Sequence, residues 1–227
     1  MITISNIGTM TRNNWILETP AGIIAVDTGL PGEADGFLER FCKRWRKEEL
    51  AYLFLTHAHI DHAGFAEELL NKTAARLLAG EKSLAALKAG RYDGKYVYKN
   101  WLGKVLDRYT RGKRGGYPPI SDSYRITVAD DAFFEKAGIA ARVIALPGHT
   151  RDSIGLYLPE NNAVLCGDAA MNRRFFNSNR HTVLIESIED FYKSWDTMTG
   201  INPDLIYPGH GEVFPAGDLT VYRDWVK

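Results

Sequence analysis

The chain has 227 residues, 45% of them hydrophobic and 25% charged, and 28 Lys plus Arg balance 28 Asp plus Glu for a formal net charge of zero. That composition excludes a disordered or fibrous chain, and the charge balance gives no bulk attraction to nucleic acid or to a membrane surface. The length suits one large domain or two small ones, with a core that needs no covalent staples, and Cys42 and Cys166 form neither a CxxC pair nor a disulfide framework.

The first third reads as short strands broken by turns: "ITISNIGT" from Ile2, "NNWILET" from Asn13 and "GIIAVDTG" from Gly22. Pro31 and Gly32 open a helical stretch expected to run to about Lys47, with Phe37, Phe41 and Trp45 at helical spacing. "LAYLFLTH" (Leu50 to His57) is an apolar run, expected to be a buried strand. A helix is expected over Gly64 to Leu70, a strand at "AARLLAG", and a helix at "EKSLAALKAG" ending on Gly90.

Residues 91 to 117 change character: eight Lys or Arg interleave with Tyr92, Tyr96, Tyr98, Trp101, Tyr109 and Tyr117. Strand signals return at "YRITVAD", "AARVIALPGHT", "SIGLYLPE" and "AVLCGDAA", with "PENN" as a hairpin turn. A helix is expected over 186 to 199, a strand at "DLIYPGHGE", and a last helix from Asp218. The pattern predicts one α/β domain over residues 1–227, two strand-rich halves with a helical insertion at about 81–120 between them. The start carries no basic flank before an apolar run, and no apolar stretch is long enough for a bilayer. A reducing, cytoplasmic setting is therefore expected.

The chemistry gathers at His57-Ala-His59-Ile-Asp61-His62, which uses three of the chain's six histidines. On an extended segment His57 and His59 share a face. A turn just after them brings Asp61 and His62 to a neighbouring point. Imidazole and carboxylate together suit zinc, iron or manganese. Two such sites need more donors, and His149 in "LPGHT", Asp168 in "LCGDAA" and His210 in "YPGHGE" each follow a strand in a Gly-containing loop. Gly148 and Gly209 permit tight or left-handed turns before the histidines.

HxHxDH, a distant His in PGHT, Asp in GD and His in PGHGE together resemble the metallo-β-lactamase superfamily, as does "VDTG" (Val26 to Gly29). The resemblance implies an αββα sandwich with a metal centre along one edge. It implies one ion on His57, His59 and His149, a second on Asp61, His62 and His210, and Asp168 bridging. Asp27 and Thr150 would support those ligands from behind. The set matches that of glyoxalase II-type thioesterases, without their C-terminal helical domain. β-Lactam-hydrolysing members lack an aspartate at the place of Asp168, and Met171 stands where acyl-homoserine lactonases carry a tyrosine. The family's common "GHTPGS" is here "GHTRDS", His149 to Ser153 completing it after Gly148.

The expectation is a hydrolase of a small ester, thioester or lactone-like substrate, using two divalent ions, zinc before iron or manganese, with Asp61 as a further proton acceptor. Two alternatives use the same residues: a phosphodiesterase or nuclease, and a mononuclear iron dioxygenase of the persulfide type. Trp101, Arg173 and His181 are candidate pocket residues. The basic segment reads first as an amphipathic helix with a solvated basic face, and alternatively as a lid that attracts an anionic small-molecule substrate; nucleic acid is not an expected partner.

Overall fold

Alternation along each strand decides which residues face which layer. In the computed structural model, which describes residues 1–97, 116–120, 126–172 and 179–223, two sheets form. The first contains β1 (Thr3–Asn6), β2 (Trp15–Thr19), β3 (Gly22–Val26), β4 (Leu50–Leu55), β5 (Arg76–Ala79) and β6 (Thr127–Val128), in that spatial order. Its first two pairings are antiparallel and the rest parallel. The second contains β7 (Arg142–Ala145), β8 (Ile154–Leu158), β9 (Ala163–Gly167), β10 (Leu205–Pro208) and β11 (Phe214–Pro215) in the order β11-β10-β9-β8-β7. Here β9 and β10 are parallel and the other neighbours antiparallel.

Helices cover the outer faces: α1 (Ala34–Phe41), α2 (Ile60–Ala63), α3 (Ala66–Lys72) and α4 (Leu84–Ala89) on one side; α6 (Ile188–Ile201) and α7 (Gly217–Tyr222) on the other, with α5 (Asp131–Lys136) leading into β7. Leu53 and Leu55 of β4 pack with Phe37 and Leu69 of the first helical layer, while Phe54 between them turns inward to Leu156 and Leu165 of the second sheet. In β9, Val164 and Cys166 face Phe191 and Trp195 of α6, and Leu165 faces the inter-sheet core. Period-two patterning thus builds four layers, helix–sheet–sheet–helix, which is the αββα order the resemblance implies. Among the described residues no helix is long and apolar enough to cross a membrane.

Of the elements that differ from the sequence expectation, three are instructive. The first long helix stops at Phe41 rather than Lys47, and Trp45 folds back to place its ring 5.2 Å from that of Phe41. Its helical spacing reflects packing, not a continued helix. Helix α5 was not expected; Asp130 starts it by accepting the Phe133 N–H at 2.7 Å, and Phe134 is buried in the inter-sheet core. The strand expected at "YRITVAD" is two residues long. Helix α4 ends at Gly90 with φ of 65°, as its sequence suggests. Trp101 and most of the basic segment lie outside the described residues.

Candidate metal centre

The donors collect at the C-terminal ends of the strands. β4 delivers Thr56 and His57, the chain runs extended through His59, and His59 then caps α2, whose first turn carries Asp61 and His62. His149 lies in the turn between β7 and β8. The preceding Gly148 has φ of 135°, and a Cβ there would meet the Phe191 backbone at 2.3 Å. Asp168 follows β9 directly, and His210 follows β10. Gly209 serves close approach: a Cβ there would lie 2.6 Å from Asp168 Oδ1 and 2.7 Å from His62 Cε1.

Potential donor atoms fall into overlapping groups, each within 4.8 Å: His57, His59 and His149; His57, His62 and Asp168; Asp61, His62 and His210. His149 Nε2 is 2.9 Å from His59 Nδ1, and His62 Nε2 is 3.3 Å from His210 Nε2. Asp61 Oδ2 lies 3.4 Å from His210 Nε2. Asp168 reaches both sides, with Oδ1 3.4 Å from His62 Nε2 and Oδ2 3.6 Å and 3.5 Å from the Nε2 atoms of His149 and His210. Four ligands held tetrahedrally at zinc–nitrogen distance stand about 3.3–3.4 Å apart. Most of these separations fall close to that value. His57 Nε2 and Asp168 Oδ1 are buried without a hydrogen-bond partner, a costly state for a polar atom unless something else binds it. The residues therefore fit metal.

Charge divides the cluster. Burial pushes His57, His59 and His149 below the ordinary imidazole range, and nearby imidazoles add to this for His57 and His59. His62 is raised well above it: burial opposes its proton, but Asp168, Asp27 and Asp61 outweigh burial. Asp61 and Asp168 are held below the usual carboxylate range; burial again works the other way and is outweighed by His62 and His210.

Each of the five imidazoles has its outer nitrogen engaged. His62 Nδ1 donates to Asp27 Oδ2 at 2.9 Å. Asp27 also accepts the Thr56 N–H and hydroxyl at 2.8 and 2.7 Å, and holds a left-handed φ of 60° to do so. The Thr56 hydroxyl in turn lies 3.0 Å from His57 Nδ1. His149 Nδ1 donates to the Leu184 carbonyl at 2.6 Å, and His210 Nδ1 to the Thr11 carbonyl at 2.5 Å. His59 Nε2 is hydrogen-bonded to the Tyr96 hydroxyl.

Of the residues expected behind the ligands, Asp27 stands against His62, while Thr150 bonds Ser153 Oγ at 2.6 Å and its carbonyl accepts the Gly148 N–H at 3.0 Å. Thr150 thus braces the turn rather than the imidazole. His181 is buried against Phe191 and Trp195 with Nε2 3.0 Å from Tyr192 Oη. Arg173 and Trp101 lie outside the described residues. Sequence reasoning missed Thr56, Tyr96, Thr11 and Leu184; the last two act through main-chain carbonyls, which no side chain advertises. It also left Asp152 uninterpreted. That buried carboxylate accepts the Ala58 N–H at 3.0 Å and the Ser83 hydroxyl at 2.8 Å, fixing the one residue between His57 and His59.

A family model described as the metallo-beta-lactamase superfamily matches residues 7–210. The chain belongs to that superfamily. A Caenorhabditis elegans beta-lactamase-like protein 2 homolog is 25% identical over 88% of this chain and 56% of its own length. An atrochrysone carboxyl ACP thioesterase from Aspergillus fumigatus is 22% identical over 93% of this chain and 54% of its own length. The chain spans about half to three-fifths of the length of such curated relatives. Among solved structures, TTHA1623 in a di-iron-bound form superposes with a TM-score of 0.65 and 19% identity, covering 98% of this chain and 99% of that one.

Proposed function

We propose that the chain is a metal-dependent hydrolase that opens a small ester, thioester or lactone-like substrate at a centre of two divalent ions. The observation that carries this reading is Asp168, one buried carboxylate within 3.6 Å of nitrogens from both histidine groups. His57, His59 and His149 would hold one ion, Asp61, His62 and His210 the other, with Asp168 shared. Bound zinc, iron or manganese supplies Lewis acidity and hydroxide at neutral pH. Asp27, Thr56 and the Thr11 and Leu184 carbonyls hold the imidazoles so that their inner nitrogens converge. Asp61 is 35% exposed against 4% for Asp168, so it is the carboxylate that meets solvent and substrate, in keeping with a role in proton transfer. The thioesterase among the relatives supports the thioester arm, and the di-iron neighbour supports iron as an occupant beside zinc.

Elemental analysis of metal-replete protein, followed by an ester, thioester and lactone panel on the same sample, tests the reading. Two ions per chain with turnover on that panel are expected. A stoichiometry that stays at one or below with every added metal overturns the dinuclear centre.

A further inference from the structure

At both positions where "GHTRDS" departs from "GHTPGS", this chain uses an atom that the common residue lacks. Asp152 brings the carboxylate that holds Ala58. Arg151 brings a main-chain N–H, which proline does not have. That N–H donates to Glu186 Oε2 at 2.6 Å. The Tyr92 hydroxyl donates to the same oxygen at 2.6 Å, and the Lys95 N–H to Glu186 Oε1 at 3.2 Å. One residue away, the Val97 N–H donates to the Ile185 carbonyl at 2.7 Å. The Arg151 guanidinium lies 5.4 Å from the centre of the Tyr92 ring. Residues 92–97 are thereby clasped along residues 185–186, and the clasp lays two tyrosines on His59. The Tyr92 ring meets it edge-on at 5.1 Å, and the Tyr96 hydroxyl is bonded to its Nε2.

His59 faces the other donors with Nδ1, 2.9 Å from His149 Nε2. An imidazole that gives the Nδ1 lone pair to a cation carries its proton on Nε2. That proton has an acceptor in place, the Tyr96 oxygen. We propose that Tyr96 is the positioning residue of His59, fixing its tautomer and ring rotation for the trihistidine ion, and that Glu186 holds Tyr96 there through a clasp the Arg151 N–H completes. The inference rests on the metal-centre reading above. It assigns a role to the arginine of "GHTRDS" through its main chain, and to Tyr92 and Tyr96 at the start of the aromatic segment.

The test is a Co2+ titration of chelator-stripped protein against a chelating indicator, with 15N-histidine spectra of the Zn2+-loaded form. Tyr96→Phe removes one half-buried hydroxyl. Arg151→Pro removes the N–H while restoring the family's common residue, and Arg151→Lys keeps both the N–H and the charge. Tyr96→Phe and Arg151→Pro are expected to weaken one of the two ions about tenfold or more and leave the other unchanged. In both, a slowly exchanging Nε2–H signal of His59 is lost; Arg151→Lys keeps the signal and the parent's affinity. Unchanged affinity in Tyr96→Phe overturns the proposal, and so does equal weakening in Arg151→Lys and Arg151→Pro. Should Arg151→Pro not fold, Tyr96→Phe alone still decides. A parent protein that binds no Co2+ overturns the metal-centre reading itself.

Discussion

In the group of His57, His59 and His149, the outer ring nitrogens meet neutral oxygens: the Thr56 hydroxyl, the Tyr96 hydroxyl and the Leu184 carbonyl. In the group of Asp61, His62 and His210, His62 backs onto the Asp27 carboxylate and faces Asp168. Without metal, burial keeps the first three imidazoles below their ordinary range, whereas the carboxylates raise His62 well above it. The first group therefore waits as neutral donors, and the second holds a proton that an incoming cation must displace. Two donor groups that both lie against Asp168 can thus differ in what filling them would cost.

Removing the shared residue is the strongest way to break that contrast. Asp168→Ala should lose at least one ion and lower hydrolysis by more than the ~100-fold upper range typical of outer partners, read by metal analysis and initial rates. If both ions stay bound as tightly as before, the groups are independent and the bridging assignment is wrong. Asp27→Ala comes next. It should weaken the His62 ion about 10- to 100-fold, and the trihistidine ion less, because Asp27 reaches His57 only through Thr56 Oγ1. Equal losses at both ions would erase the distinction.

Acidity sharpens the contrast at smaller cost. The proton on His62 stabilises the metal-free fold fully below pH 6.5, and that contribution is lost as pH rises through its raised value. For metal the sign reverses: affinity of the second group falls as pH drops through the same value. The first group, with its imidazoles lowered, keeps its affinity to below pH 6.5. Dialysis between pH 8 and pH 6 should therefore remove one ion before the other, and simultaneous loss would count against the difference. The smallest effect belongs to Asp152→Ala. It should keep both ions and cost about 1–3 kcal/mol in denaturant unfolding, since Ala58 N–H and Ser83 Oγ lose their acceptor. Loss of an ion in this variant would mean that the peptide between His57 and His59 is itself part of metal selection.

How far the sequence reached depends on which atoms carry the information. The layering came with the family resemblance, since Leu53, Phe54 and Leu55 are all apolar and their alternation between faces shows only in the structure; side-chain donors in a tight string were readable directly. The backs of the imidazoles were not, where Thr11 and Leu184 contribute carbonyls that any residue would supply. Helix α5 was hidden by its six residues between strand signals, although Asp130 followed by "DAFFEK" offered an N-cap. Trp45 misled for the opposite reason: its spacing fitted a helix, and its packing on Phe41 needs only a turn.

His62 and His210 stand 148 residues apart in sequence, yet their Nε2 atoms are 3.3 Å apart. Contacts of that separation form late, after the chain has met the entropy of closing a long loop. The donors come from both sheets, so a cation bound across them would act as a clip on the docked sheets. Ligand that binds the native chain and not the unfolded one adds RT ln(1 + [L]/Kd) to stability, about 4 kcal/mol at a thousand times Kd. Stripping the ions should then speed unfolding more than it slows refolding, and metal supply would govern how long each molecule survives after synthesis.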